Sequence, residues 1–117
     1  MSEIPEFTSE EIAAVRDAIK ERFGHDLETH LADVEVRIYA DDRELTECPA
    51  IYWEHDECHF VICKTGEERY RSQFYYRGYD QYGTGIEEYT DIVECALTLL
   101  RVQADHELER KGAFDDK

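Results

Sequence analysis

The chain has 117 residues, of which 29 are Asp or Glu and only 13 Lys or Arg, for a formal net charge of −16. Hydrophobic residues make up 42% and aromatics 12%, which excludes an acidic disordered tail and predicts one folded domain with a real core. No run approaches the roughly 18 apolar residues of a membrane span, and the acidic opening Met-Ser-Glu-Ile-Pro-Glu is unlike a signal peptide, so a cytoplasmic address is expected.

The first helix is written into its own cap. Thr8-Ser9-Glu10-Glu11 is a capping box, Phe7 and Ile12 occupy the positions of a hydrophobic staple, and Ile12, Val15, Ile19 and Phe23 repeat at helical spacing up to Gly24. A shorter helical turn is expected around 26–31. Val34, Val36 and Ile38 then alternate with Glu35, Arg37 and Tyr39, the pattern of a half-buried strand. A second strand is predicted over 50–54, with Pro49 marking its start or an edge position. The turn His55-Asp56-Glu57 leads into a third strand over 58–64, and Thr65-Gly66-Glu67 into a fourth over 68–76. Connections this short favour an antiparallel meander.

Thr84-Gly85-Ile86-Glu87 is a second capping-box candidate, from which Ile86, Tyr89, Val93, Ala96, Leu97, Leu100, Ala104 and Leu108 keep helical spacing to Gly112. The order α-β-β-β-β-α predicts an α+β, two-layer sandwich, with a four-stranded antiparallel sheet carrying the N-terminal helix and the long C-terminal helix on one face. Residues 1–6 and 113–117 are expected to fray.

Chemical motifs are sparse. His55-x-x-Cys58-His59, with Cys48 and Cys63 nearby, is the only metal-like cluster, and Cys58 and His59 point to opposite faces of a shared strand. Without C-x-x-C spacing, Cys48, Cys58, Cys63 and Cys95 are expected to be thiols. Gly83-Thr84-Gly85 before a helix has the outline of a phosphate cradle but lacks its Lys. The five His have no nucleophile at recognisable spacing. No catalytic residue, metal or cofactor is expected, and the chain does not read as an enzyme.

The charge is the remaining signal. Asp41, Asp42, Glu44, Glu47, Glu54, Asp56 and Glu57 crowd one stretch with Arg43 as the lone base, and Glu87, Glu88, Asp91 and Glu94 precede any basic residue of the last predicted helix. Spacing places Glu87, Asp91 and Glu94 on one helical face. Carboxylates on a rigid fold imitate the anionic track of a duplex, which carries one phosphate per about 1.7 Å of axis. In size, charge and small α/β architecture, with its acidic stretches 41–57 and 87–94, the chain resembles the acidic DNA-mimic proteins of bacteria and phages. That resemblance implies an inhibitor that occupies a basic nucleic-acid-binding protein (a histone-like nucleoid protein, a repressor or a nuclease) and competes with DNA.

The stretch 69–79 holds three Arg and no acid, with Tyr70, Phe74 and Tyr76 on one strand face and Arg69, Arg71 and Tyr75 on the other. Tyr39, Trp53, Tyr75, Tyr79 and Tyr82 are candidate aromatic anchors for a partner. Direct nucleic-acid or membrane binding is not expected of so anionic a chain. The alternatives are an immunity- or antitoxin-type inhibitor of a basic toxin, or a scaffold protein dimerising through the Tyr-rich sheet face. A monomer or weak homodimer is expected.

Overall fold

The structure, a computed structural model, describes residues 4–37, 41, 43–76 and 81–115. The order is α1 (Ser9–Phe23), β1 (His30–Val36), β2 (Thr46–His55), β3 (Cys58–Gly66), β4 (Arg69–Tyr75), β5 (Gln81–Tyr82) and α2 (Ile92–Asp115). The first four strands form the expected antiparallel meander, and the two-residue β5 adds itself beyond β4, so the sheet runs β1-β2-β3-β4-β5.

Helix α1 forms as its sequence dictates. Thr8 Oγ1 accepts from the Glu11 amide at 3.1 Å, Glu11 Oε1 accepts from the Thr8 amide at 2.8 Å, and Gly24 closes the helix at φ 84°. A left-handed residue there is cheap only for glycine.

Register assigns the two sheet faces, because paired residues project to the same side. Ile51 pairs with Ile62, Trp53 with Phe60, and Phe60 in turn with Phe74. This row meets Val15, Ala18 and Ile19 of α1 and Cys95, Ala96, Leu99 and Leu100 of α2 in the main core. Both helices therefore lie on one face, as predicted. A smaller cluster, Cys48, Ala50 and Cys63, packs with Val34, Val36, Val61 and Ile4 on the face the helices leave open.

Four details differ from the sequence reading. No helical turn forms over 26–31; His30 and Leu31 already belong to β1, because their pairing with Tyr52 and Ile51 outweighs a weak local preference. Strand β2 begins at Thr46 rather than at residue 50, which puts Pro49 inside it. β3 is registered with β2 only from Ala50 onward, so Pro49 sits where β1 alone flanks the strand, the edge-like position proline tolerates. Helix α2 starts at Ile92, not near Gly85. Of the ends expected to fray, Glu6 accepts from Lys64 Nζ at 3.1 Å, Ile4 packs on the smaller cluster, and α2 runs to Asp115.

Candidate partner-binding surfaces

Both helices begin at the same end of the sheet. The carboxylate of Glu11, in the first turn of α1, meets Lys64 near the end of β3 at 2.8 Å. Just before α2, Tyr89 exchanges two backbone hydrogen bonds of 2.8 and 2.9 Å with Tyr70 at the start of β4. The β1–β2 connection leaves from this end too, since Val36 pairs with Thr46, and so does the β3–β4 turn at Glu67 and Glu68. The β2–β3 hairpin, with Asp56 and Glu57 at its tip, lies at the other end.

This topology divides the candidate acids. Asp41, Glu44, Glu47, Glu88, Asp91 and Glu94 belong to segments at the end where the helices start, Glu87 lines the open-face groove with Glu35, Arg37 and Arg71, and Glu54, Asp56 and Glu57 sit at the hairpin end. The nine steps from Glu47 to Asp56 span roughly 30 Å at about 3.3 Å per residue. The stretch 41–57 is thus two patches joined by a buried strand, not one ridge. Asp42, Tyr39 and Tyr79 lie outside the described residues.

Acids the sequence reading did not single out complete the first patch. A groove of about 650 Å³ between α1, the β3–β4 turn and the start of α2 is lined by Glu10, Glu11, Glu67, Glu68 and Asp91, with Lys64 the one basic lining residue among those described. Only the sheet register brings Glu67 and Glu68 beside the helix starts, and no local sequence signal carries that. Two helix N-termini here supply about half a positive charge each, which offsets part of the repulsion among the carboxylates.

Lys64 does not leave the groove electropositive. It is 3% exposed and pairs with Glu11. Glu11 also accepts from the phenol of Tyr70. Burial pushes the Glu11 carboxyl up, but the hydrogen bonds from Lys64, Tyr70 and the Thr8 amide outweigh it and hold the group below its ordinary value. Burial, then the bond to Glu11, pushes the Tyr70 phenol up, so it remains a donor.

The remaining acids have defined local roles. Asp91 caps α2, its Oδ1 accepting from the Val93 amide at 2.9 Å. Glu88 accepts from the Thr65 hydroxyl at 3.1 Å. Because α2 begins only at Ile92, Glu87 stands in the preceding loop and shares no helical face with Asp91 and Glu94. The same boundary removes the phosphate-cradle reading of Gly83-Thr84-Gly85, since no helix starts behind it; Thr84 bonds Tyr89 through their hydroxyls instead.

The aromatic anchors also divide. Trp53 is fully buried and stacks on Phe60 at 5.2 Å, because odd-numbered residues of β2 face the helices; it is core, not an anchor. Tyr82 is half-buried against Phe74, Tyr76 and His106. Tyr75 faces the open side and stacks on His59 at 4.8 Å. His59 stacks in turn near Tyr52 at 5.8 Å, and Tyr52 approaches His30 at 6.0 Å, so one ring from each of β1 to β4 crosses the open face. Burial, then Tyr75 and Glu54, raise the Tyr52 phenol, whose hydroxyl shares a 2.6 Å hydrogen bond with His59 Nδ1.

The metal-like cluster is split by the sheet: Cys58 faces the helices, while His59, Cys48 and Cys63 face the open side. Among the described residues no group of three or more His, Cys, Asp or Glu is placed to hold a metal ion. All four cysteines are buried and none forms a disulfide, with burial pushing the Cys63 thiol to about 11 and the Cys95 thiol to about 12. Among the described residues no helix is long and apolar enough to cross a membrane. Comparison with known protein families, curated proteins and solved structures returns no match.

Proposed function

We propose that this protein binds a basic protein through the carboxylate-rich end of its sheet, and that the partner is a nucleic-acid-binding protein for which it competes with DNA or RNA. The observation that carries the reading is convergence. Acids from the first turn of α1 (Glu10, Glu11), the β3–β4 turn (Glu67, Glu68) and the cap of α2 (Asp91) line one groove at two helix N-termini, and the basic residue described in its lining, Lys64, is already paired. Such a groove accepts Lys or Arg side chains that would otherwise contact phosphates.

The reading is tested with a purified histone-like nucleoid protein. Binding is expected to weaken steeply between about 50 and 200 mM salt and to be displaced by duplex DNA. Combining Glu44→Gln, Glu67→Gln, Glu68→Gln and Glu94→Gln should weaken it at least about tenfold, while Glu54→Gln, Asp56→Asn and Glu57→Gln at the far end should change it less than about twofold. Affinity indifferent to salt, or equal sensitivity at both ends, refutes the assignment.

A further inference from the structure

Among the described residues, β1 is a long strand with no neighbour on its outer side. β1 is terminal in the order β1-β2-β3-β4-β5, and all seven of its residues are exposed or half-buried. Neither helix covers it: Leu31, on the helix side of the sheet, is 63% exposed. β1 pairs with β2 without a register break from His30 to Val36 and contains no proline and no lysine. An extended strand with one row of unpaired N–H and C=O groups is a template for another strand, and the usual deterrents are a proline, a bulge or a lysine.

Here the guard is acid. Register puts Asp33 and Glu35 on one face of β1, with Glu35 directly opposite Glu47 of β2, while Ala32, Val34 and Val36 occupy the other face beside Ala50, Cys48 and Thr46. Like charges directly opposite on neighbouring strands repel, so the Glu35–Glu47 pair costs stability until a cation joins it. Val34 and Val36 line an open-face groove of about 670 Å³ together with Val61 and Tyr75.

We infer that β1 is a docking edge for an extended basic segment of the partner, added to the sheet as a further antiparallel or parallel strand whose side chains alternate Lys or Arg with apolar residues. The backbone edge supplies hydrogen bonds, Asp33, Glu35 and Glu47 receive the cations, and Ala32, Val34 and Val36 receive the apolar side chains. A second copy of this chain fits the centre of the same edge poorly. Two-fold antiparallel pairing centred on Asp33 sets Asp33 against Asp33, and centring on Val34 sets Asp33 against Glu35. The inference rests on the basic-partner reading and goes further by naming the edge and the side-chain pattern it takes.

The test uses the full chain and a labelled synthetic peptide alternating Val and Lys over about nine residues, long enough to cover the strand. It is expected to bind at least about tenfold tighter than a peptide of the same composition with its Lys grouped together, and to slow hydrogen exchange of β1 amides. N-methylating alternate residues blocks one edge of the peptide, so one of the two alternate patterns should abolish binding and the other should not. Asp33→Lys with Glu35→Lys, at exposed positions, should lose the Val/Lys peptide and gain a Val/Glu peptide. Equal binding of the grouped-Lys peptide, or of both N-methylated patterns, overturns strand addition. Salt-sensitive binding of the nucleoid protein that survives the β1 substitutions overturns edge docking and leaves the charge reading standing. Peptide pairing at β1 without any salt-sensitive protein partner supports the edge and removes the charge reading.

Discussion

Glu11 ties three elements together through one side chain. It completes the cap of α1, neutralises the buried ammonium of Lys64 and holds the Tyr70 phenol, tying the first helix to the ends of β3 and β4. Removing one partner of a buried pair leaves the other charge uncompensated and typically costs about 3–5 kcal/mol. Glu11→Gln is therefore expected to lower unfolding stability by about 3 kcal/mol in urea titrations at neutral pH. The pH dependence has a fixed sign. A carboxyl held below its ordinary value of 4.5 stabilises the fold fully above that value, and the contribution disappears as pH falls through the depressed folded value. Wild-type stability should therefore decline on acidification below about 4.5, and Glu11→Gln should flatten that limb. An unchanged acid limb in the variant would show that other carboxylates dominate it.

At the scale of elements, the start of α2 separates what local sequence can decide from what it cannot. Thr84-x-x-Glu87 and Asp91-x-x-Glu94 both satisfy a capping box, and the apolar spacing continues through both. The choice is made by a long-range event: Tyr89 is buried and bridges to Tyr70, which takes the residues before Asp91 out of any helix. Asp91→Ala should accordingly cost about 1 kcal/mol as read by thermal unfolding, because the Val93 amide loses its acceptor. An unchanged midpoint would show that this cap does not hold the helix start. Helix α1 was legible because cap, staple, stripe and stop lie within one short segment. The meander was legible from its turns, Asp56 and Glu57 even adopting the positive φ values of 54° and 70° that two-residue hairpins need. The candidate site was legible only in part. Composition drew attention to the carboxylates, but which of them lie together depends on strand direction and register, and these separate Glu54, Asp56 and Glu57 from Asp41, Glu44 and Glu47 and set Glu67 and Glu68 beside the helix starts. Trp53 was misplaced for the same reason: with its strand's start read at residue 50, alternation alone does not say which parity faces the helices.

Across the whole molecule the net charge of −16 sets a trade between self-repulsion and reach. Carboxylates at the end where the helices begin repel one another through water, and the Debye length of about 10 Å at 0.1 M salt is comparable to the separations within such a patch. The ion pair with most to lose from screening would be Lys64–Glu11, but it is buried, where mobile ions reach poorly. Added salt therefore relieves repulsion more than it weakens attraction, and the free protein should become more stable as salt rises while its complex with a basic partner becomes weaker. The urea midpoint should climb from low salt to about 0.5 M with an unchanged slope, and the climb should shrink in the Glu44, Glu67, Glu68 and Glu94 variant more than in the Glu54, Asp56 and Glu57 variant. A midpoint that falls with salt would mean that surface ion pairs outweigh repulsion. The opposite responses of fold and complex to one variable also separate a charge-driven interface from a fold that merely tolerates its acids: in the latter, neutralising the crowded end stabilises the protein and changes nothing that it binds.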